Sequence, residues 1–207
     1  IAPFLYRTSR GEIELLFVVI GGNGTTRTIY AAKNNQHVVV TSPSGFVRQF
    51  CHYGKTIIGA TEDGLIVRSD DVDDAQFTAI SNSPKCRILF AVGGMLIGAN
   101  GSLSEGGTQI ASGVDFWLSS NEHDYTGWIP STLADPTNSV AAWGPLYSPA
   151  GAIVAGGALG HRAVLYKRGS IFVGQYTGPI DKWLFDCVSE SIGCVGPDAL
   201  VVAQDRH

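Results

Sequence analysis

Four carboxylates fall within five residues in SDDVDDAQF (69–77): Asp70, Asp71, Asp73 and Asp74. Such a run of hard oxygen ligands could hold Ca²⁺. The spacing is not that of an EF-hand: counting from Asp70, Val72 falls on a ligand position and Ala75 stands where that loop needs glycine. The run reads as a solvated acidic loop, and no metal is expected. The loop most like an enzyme's is SSNEHDYTGW (119–128), which contains His123 and Tyr125. Tyr125 and Tyr176 read as loop aromatics whose flat apolar faces could stack on a sugar. His161 and Arg162 open a strand and read as capping a sheet edge. Glu190 has no carboxylate in its neighbourhood to share acid–base work. The nucleophile and phosphate-binding signatures GxSxG, HExxH and the P-loop are absent, and GGNG (21–24) reads as a hairpin turn through Asn23-Gly24. The expectation is a chain with no catalytic residue and no cofactor. Asp70, Asp71, Asp73, Asp74, His123, Tyr125 and Tyr176 are its candidate surface or interaction residues.

The elements that must position these residues are short. Twenty-six glycines and nine prolines punctuate the chain. Between them lie β-branched and aromatic runs such as ELLFVVI (14–20), TIIGA (56–60), RILFAV (87–92), MLIGA (95–99), AVLYK (163–167) and SIFVG (170–174). Runs of that length divided by turn chemistry predict an all-β chain. Three stretches, beginning at Lys55, Gly94 and His161, repeat one order of parts: an apolar strand, a glycine-containing turn, a second apolar strand, a polar loop and an aromatic. Taking Val67, Trp117 and Phe172 as equivalent puts Phe77, Trp128 and Trp183 in register as core aromatics. Periods near 50 residues with about four strands per unit predict a β-propeller-like array of four-stranded blades, part of a larger ring. A single all-β region over 1–207 is expected, with approximate blades 1–50, 51–92, 93–145 and 146–207. A β-sandwich is the alternative. The physical reason for stacking is that a four-stranded sheet cannot bury both of its faces alone.

Composition narrows the partners. Only 15% of residues are charged against 44% hydrophobic, so either part of the surface faces another chain or many strands expose Gly, Ser and Thr. A net charge of −4 gives no electrostatic case for a nucleic-acid partner, which needs clustered Lys and Arg. No apolar run approaches the ~20 residues that span a bilayer, so membrane insertion is not expected. Cys51, Cys86, Cys187 and Cys194 form no CxxC pair, which removes zinc-ribbon and thioredoxin-like readings and leaves buried free thiols as the expectation. The chain starts at Ile1 and its only methionine is Met95, so it is expected to be part of a longer chain.

Two resemblances bear on function. SSNEHDYTGW is similar in outline to the Ser-x-Asp-x-Gly-x-x-Trp box of sialidase-type propellers. It departs in having Asn121 for the acid and His123 for the glycine, with Trp128 arriving two residues late. That box is a fold element, and no Arg-Ile-Pro motif accompanies it here. The last fifty residues resemble a segment of tail hub, or stabilisation, proteins of short-tailed bacteriophages. The resemblance rests on Arg162, Val164, Tyr166 and Lys167, then Ser170, Ile171, Val173 and Gly174, then Ile192-Gly193-Cys194 followed by Pro197, Ala199, Leu200 and Val201. It implies a non-enzymatic structural component of the virion tail, made in the host cytoplasm. The component would be a homo-oligomeric ring contacting the portal adaptor, needle, and tail fibre or spike, and forming a conduit for DNA ejection. The acidic loop at 69–77 departs from that family. The alternative expectation is a carbohydrate-binding or glycoside-hydrolysing propeller.

Overall fold

Glycine and turn residues interrupt the chain before any run reaches helical length, so the apolar runs pair with their antiparallel neighbours instead. The computed structural model describes residues 4–7, 11, 13–20, 27–33, 36–40, 47–69, 76–130 and 139–201. Its first eight strands are β1 (Phe4–Arg7), β2 (Ile13–Ile20), β3 (Arg27–Lys33), β4 (Gln36–Val40), β5 (Val47–Tyr53), β6 (Thr56–Thr61), β7 (Leu65–Ser69) and β8 (Thr78–Ala79). The next eight are β9 (Lys85–Val92), β10 (Met95–Glu105), β11 (Thr108–Ser119), β12 (Ala142–Pro145), β13 (Ile153–Leu159), β14 (Arg162–Lys167), β15 (Ile171–Gly178) and β16 (Lys182–Ser189). A 3₁₀ turn at Pro197–Ala199 follows, and no α-helix occurs among the described residues.

The chain is all-β. Its strands group by fours, in chain order, into four antiparallel sheets: β1–β4, β5–β8, β9–β12 and β13–β16. The expected division at 145/146 falls between the third and fourth sheets, but those at 50/51 and 92/93 do not match the sheet boundaries. Strand β5 runs across the first division, and β9, placed in the second unit by the sequence pattern, opens the third sheet. The cause is the hydrogen-bond ladder. Each IGA strand pairs with the strand before it, Gly59 opposite Phe50 and Gly98 opposite Leu89, so that strand belongs to the same sheet. Val67, Trp117 and Phe172, aligned from the repeat, all lie in third strands: β7, β11 and β15.

Side-chain alternation along each strand sends one set of residues to each face, and both faces of the inner sheets are apolar. In β6, Ile57 joins a core with Leu16 and Ile29 of the first sheet, while Ile58 joins one with Leu89 and Leu96 of the third. In β10, Leu96 faces the second sheet and Ile97 the fourth, where it meets Leu165 and Phe172. Four sheets in series thus share three cores, where a two-layer sandwich would have one. Phe77, Trp128 and Trp183 are buried in these three cores respectively. The first strands of successive sheets also touch, β1 on β5, β5 on β9 and β9 on β13. Phe4, Arg48, Arg87 and Ile153, one from each first strand, line a common cavity of about 530 Å³.

Two buried charged groups cross between elements. Glu14 of β2, 1% exposed, accepts from the Arg68 guanidinium of β7 at 2.7 Å and ties the first sheet to the second. Lys167 of β14, also buried, donates through Nζ to the carbonyls of Leu146 and Pro149 and lies over the Phe172 ring. Burial lowers its amine from the usual lysine value, with Asp115 and Cys187 opposing that shift.

Trp128→Ala is expected to lower the unfolding free energy by about 3–5 kcal/mol, the usual cost of emptying a large buried aromatic site. Val114→Ala, at a strand position 57% exposed, is expected to change it by about 0.5 kcal/mol or less. Urea titrations followed by tryptophan fluorescence and circular dichroism measure both. Equal effects would contradict the assignment of Trp128 to an inter-sheet core.

Candidate functional site

In an antiparallel meander the first-to-second hairpin and the third-to-fourth connection emerge at the same end. The contacts below bring those ends of the second, third and fourth sheets together, and three of the sequence-derived candidates lie there. The hub is the two-residue turn Gly93-Gly94 between β9 and β10. Both glycines have positive φ, 57° and 76°, as a tight hairpin turn requires. Gly94 is further constrained by packing, because a Cβ there would stand 2.7 Å from Cε1 of His123. Its carbonyl accepts two hydrogen bonds, from the His123 backbone N–H at 2.7 Å and from the Tyr53 hydroxyl of the second sheet at 2.6 Å.

The loop after β11 is built on side-chain acceptors. Asn121 Oδ1 receives the Ser139 hydroxyl at 2.8 Å and the backbone N–H groups of Val140 and Ala141 at 2.8 and 3.0 Å. Asp124 Oδ1 receives the Thr126 N–H at 2.8 Å and its hydroxyl at 2.6 Å. His123 adopts φ 58° between them, in the left-handed region that a glycine would take more easily. The chain then runs to Trp128, whose indole N–H donates to the Tyr125 carbonyl at 2.8 Å while the ring is buried. Burial pushes the Asp124 carboxyl up, but the hydrogen bonds from Thr126 and Gly127 outweigh it and hold the group below the usual aspartate value.

The candidates fare differently. His123 is exposed on this end, with its Nε2 3.7 Å from Glu122. Tyr125 is half-buried rather than free: its ring meets Tyr53 edge-on at 5.7 Å and packs on the core between the second and third sheets. Tyr176 lies inside β15, not in a loop, because the ladder pairs it directly with Trp183 and their rings sit 5.8 Å apart. Burial, and secondarily the charge of Glu122, raises its hydroxyl above the usual tyrosine value. Asp70, Asp71, Asp73 and Asp74 lie outside the described residues. Cys51 and Cys86 are free and buried in the core between the second and third sheets. Burial above all pushes both thiols up, Cys86 to about 12, so neither carries a thiolate near neutral pH.

Sequence reasoning gave no hint of a recess between the third and fourth sheets that His161, Arg162 and Gln175 border. With Gly93, Met95, Tyr176 and Trp183 they line a cavity of about 240 Å³. Tyr53 was equally invisible, since its contact with Gly94 spans 41 residues and depends on two hairpin ends meeting. The one available signal is the recurrence of tight turns before second strands, at Gly54, Gly93-Gly94 and Gly160, all with positive φ. Among known proteins, no family model and no curated sequence matches the chain.

The depressed Asp124 value fixes a pH dependence. An unfolded aspartate titrates near 3.9, so this carboxylate stabilises the fold above about pH 4, and the contribution is lost as pH falls through the lower folded value. Asp124→Asn is expected to cost about 1 kcal/mol or less at neutral pH, since the group is partly solvated. It should also shrink the loss of stability between neutral pH and about pH 3. Urea midpoints of the two proteins across that range decide it; an unchanged acid slope contradicts the assignment.

Proposed function

We propose that the four sheets are blades of a β-propeller-like array, and that the chain serves as a non-enzymatic structural component of a phage tail, of the hub or stabilisation kind. The observation that supports this best is the pair of open apolar faces at the two ends of the stack. On the first sheet, register places Leu5, Leu15 and Ala32 in one row and Phe17 and Tyr30 in another, on the face opposite Leu16 and Ala31. Leu5 and Ile13 there are 64% and 56% exposed. On the fourth sheet, Val164, Tyr166, Ile171 and Val173 face away from the third, partly covered by Cys194 and Leu200, while Leu184 and Val188 stay exposed.

The three inner contacts each join the leading face of one sheet to the trailing face of the next. Seating the first sheet of one copy on the fourth sheet of another would add a contact of the same kind, and its repetition generates a ring. Faces of this character suit obligate assembly, where interfaces resemble a core cut in half. The same surfaces are available to other virion proteins, such as a portal adaptor, needle, tail fibre or spike. The net charge of −4 suits a conduit that DNA passes without being gripped.

Sedimentation and negative-stain electron microscopy test the reading. The chain is expected to form ring-shaped oligomers, and Leu5→Asp or Leu184→Asp to dissociate them by placing an unpaired charge in an apolar interface. A monomer at every concentration, or assembly indifferent to both substitutions, overturns it. Duplex DNA is expected to show no retention by the protein in a mobility-shift titration, and a tight complex that weakens steeply with salt would contradict the conduit.

A further inference from the structure

We propose that the outer edge of the third sheet, where Trp143 and Tyr147 flank Phe116 beside a cleft toward the second sheet, binds a neutral oligosaccharide chain. The third sheet is an inner one, so the site stands apart from the two end faces and does not depend on ring assembly.

Three neighbouring aromatics build the surface. The β11–β12 ladder places Phe116 opposite Pro145 and Leu118 opposite Trp143. The Leu146 N–H continues that pairing by donating to the Asp115 carbonyl at 2.9 Å. Alternation then sorts the side chains. Ala142 and Leu146 join the core shared with the fourth sheet, so Trp143, Pro145 and Tyr147 fall on the face turned toward the second. The rings agree with this placement: Trp143 stacks on Phe116 at 5.6 Å and 22°, and Tyr147 meets Phe116 edge-on at 6.4 Å and 80°. The second sheet stops short of covering them, because its outer strand β8 has two residues where β12 has four. Trp143 is left 38% exposed and Tyr147 68%, while Trp117, Trp128 and Trp183, the other three tryptophans, are buried. Large aromatics exposed together in one patch mark a recognition surface.

The residues beside them specify the ligand. Trp143 also borders a cleft of about 620 Å³ between the second and third sheets, within the size range of small-ligand sites. Ser81 and Asn82, of the β8–β9 connection, border it from the second sheet, and Glu105 and Ile110 from the β10–β11 hairpin of the third. Leu103 faces the second sheet, and alternation along β10 puts Glu105 on the same face. Among the described residues no Lys, Arg or His borders the cleft. A phosphate or carboxylate ligand would meet Glu105 with no cation to balance it, which disfavours nucleic acid and acidic polysaccharide. A proline-rich peptide presents carbonyl acceptors and lacks N–H donors, and an ionised carboxylate can only accept. Sugar hydroxyls both donate and accept, and the C–H face of a pyranose lies flat on an indole or phenol ring. The aromatic surface runs on past Phe116 to Tyr147, so it accommodates more than one sugar unit.

Isothermal titration of the chain with cellohexaose, maltohexaose and chitohexaose, three neutral chains, reads binding, with hexagalacturonate as the anionic comparison. At least one neutral hexasaccharide is expected to bind, and to shield Trp143, the exposed indole, from acrylamide quenching. Hexagalacturonate is expected to bind at least about tenfold more weakly than that chain. Trp143→Ala is expected to reduce affinity about tenfold, the size of one good aromatic contact, and Tyr147→Ala about threefold or more. Glu105→Gln, which weakens the acceptor, should reduce it about three- to tenfold. Circular dichroism of each variant separates lost binding from lost folding. Leu184→Asp, on an end face, should leave sugar binding unchanged. No binding of any neutral chain, preferential binding of hexagalacturonate or of decaproline, or affinity indifferent to Trp143 and Tyr147 overturns the proposal.

Discussion

A four-stranded sheet whose two faces are both apolar cannot be stable in isolation, because burying one face still leaves the other in water. Every other feature of this chain follows from that constraint. Each strand of the inner sheets alternates between two cores rather than between core and solvent, as Ile57 and Ile58 do in β6 and Leu96 and Ile97 in β10. Charged residues are therefore pushed to turns and edges, and the low charged fraction reflects how little sheet surface remains to be wetted. The few charges that do enter the stack are partnered: Glu14 is paired with Arg68 across two sheets, and Lys167 donates to two backbone carbonyls and lies over an aromatic face. Such groups are costly to leave unpaired, so they fix the relative placement of sheets that apolar contacts alone would allow to slide.

The sequence carried the strands, the order of parts and the position of the large aromatics. Val67, Trp117 and Phe172 could be aligned because turn residues recur at similar distances from each apolar run, and the alignment correctly grouped third strands. The same pattern misplaced β9, since hydrophobicity marks a strand but does not say with which neighbour it pairs. That choice is made by ladders such as Leu89 opposite Gly98. Tyr176 read as a loop residue because Gln175 and Thr177 are polar, yet those neighbours belong to strand β15, which runs to Gly178. The cavity around Arg162 was illegible for a different reason. Its walls come from the second half of one hairpin and the ends of two others, and nothing in local spacing encodes that meeting.

The loop after β11 is organised by side-chain acceptors and one left-handed residue. Its resemblance to the box of sialidase-type propellers is poor in sequence, with Asn121 for an acid and His123 for a glycine. Asn121 still gathers Ser139, Val140 and Ala141 through one oxygen, because a neutral amide carbonyl accepts backbone donors as a carboxylate does. His123 still takes the left-handed conformation, at 58°, held by its hydrogen bond to Gly94 and the anchored residues on either side. The Asp124–Thr126 turn returns the chain so that the Trp128 indole enters the core between the second and third sheets.

The division of labour between the molecule's surfaces follows from the same geometry. A stack of two-faced sheets has only three kinds of exposed surface: its two end faces, its outer strand edges and its hairpin ends. The end faces are extended and apolar, which suits large partners and excludes small polar ones. The hairpin ends are interrupted by tight glycine turns, and wherever adjacent sheets diverge there a gap opens between them. Between the third and fourth sheets that gap is bordered by β14, which starts at Arg162, and by the β15–β16 pair carrying Tyr176 and Trp183. The end faces and this recess therefore occupy separate parts of the stack.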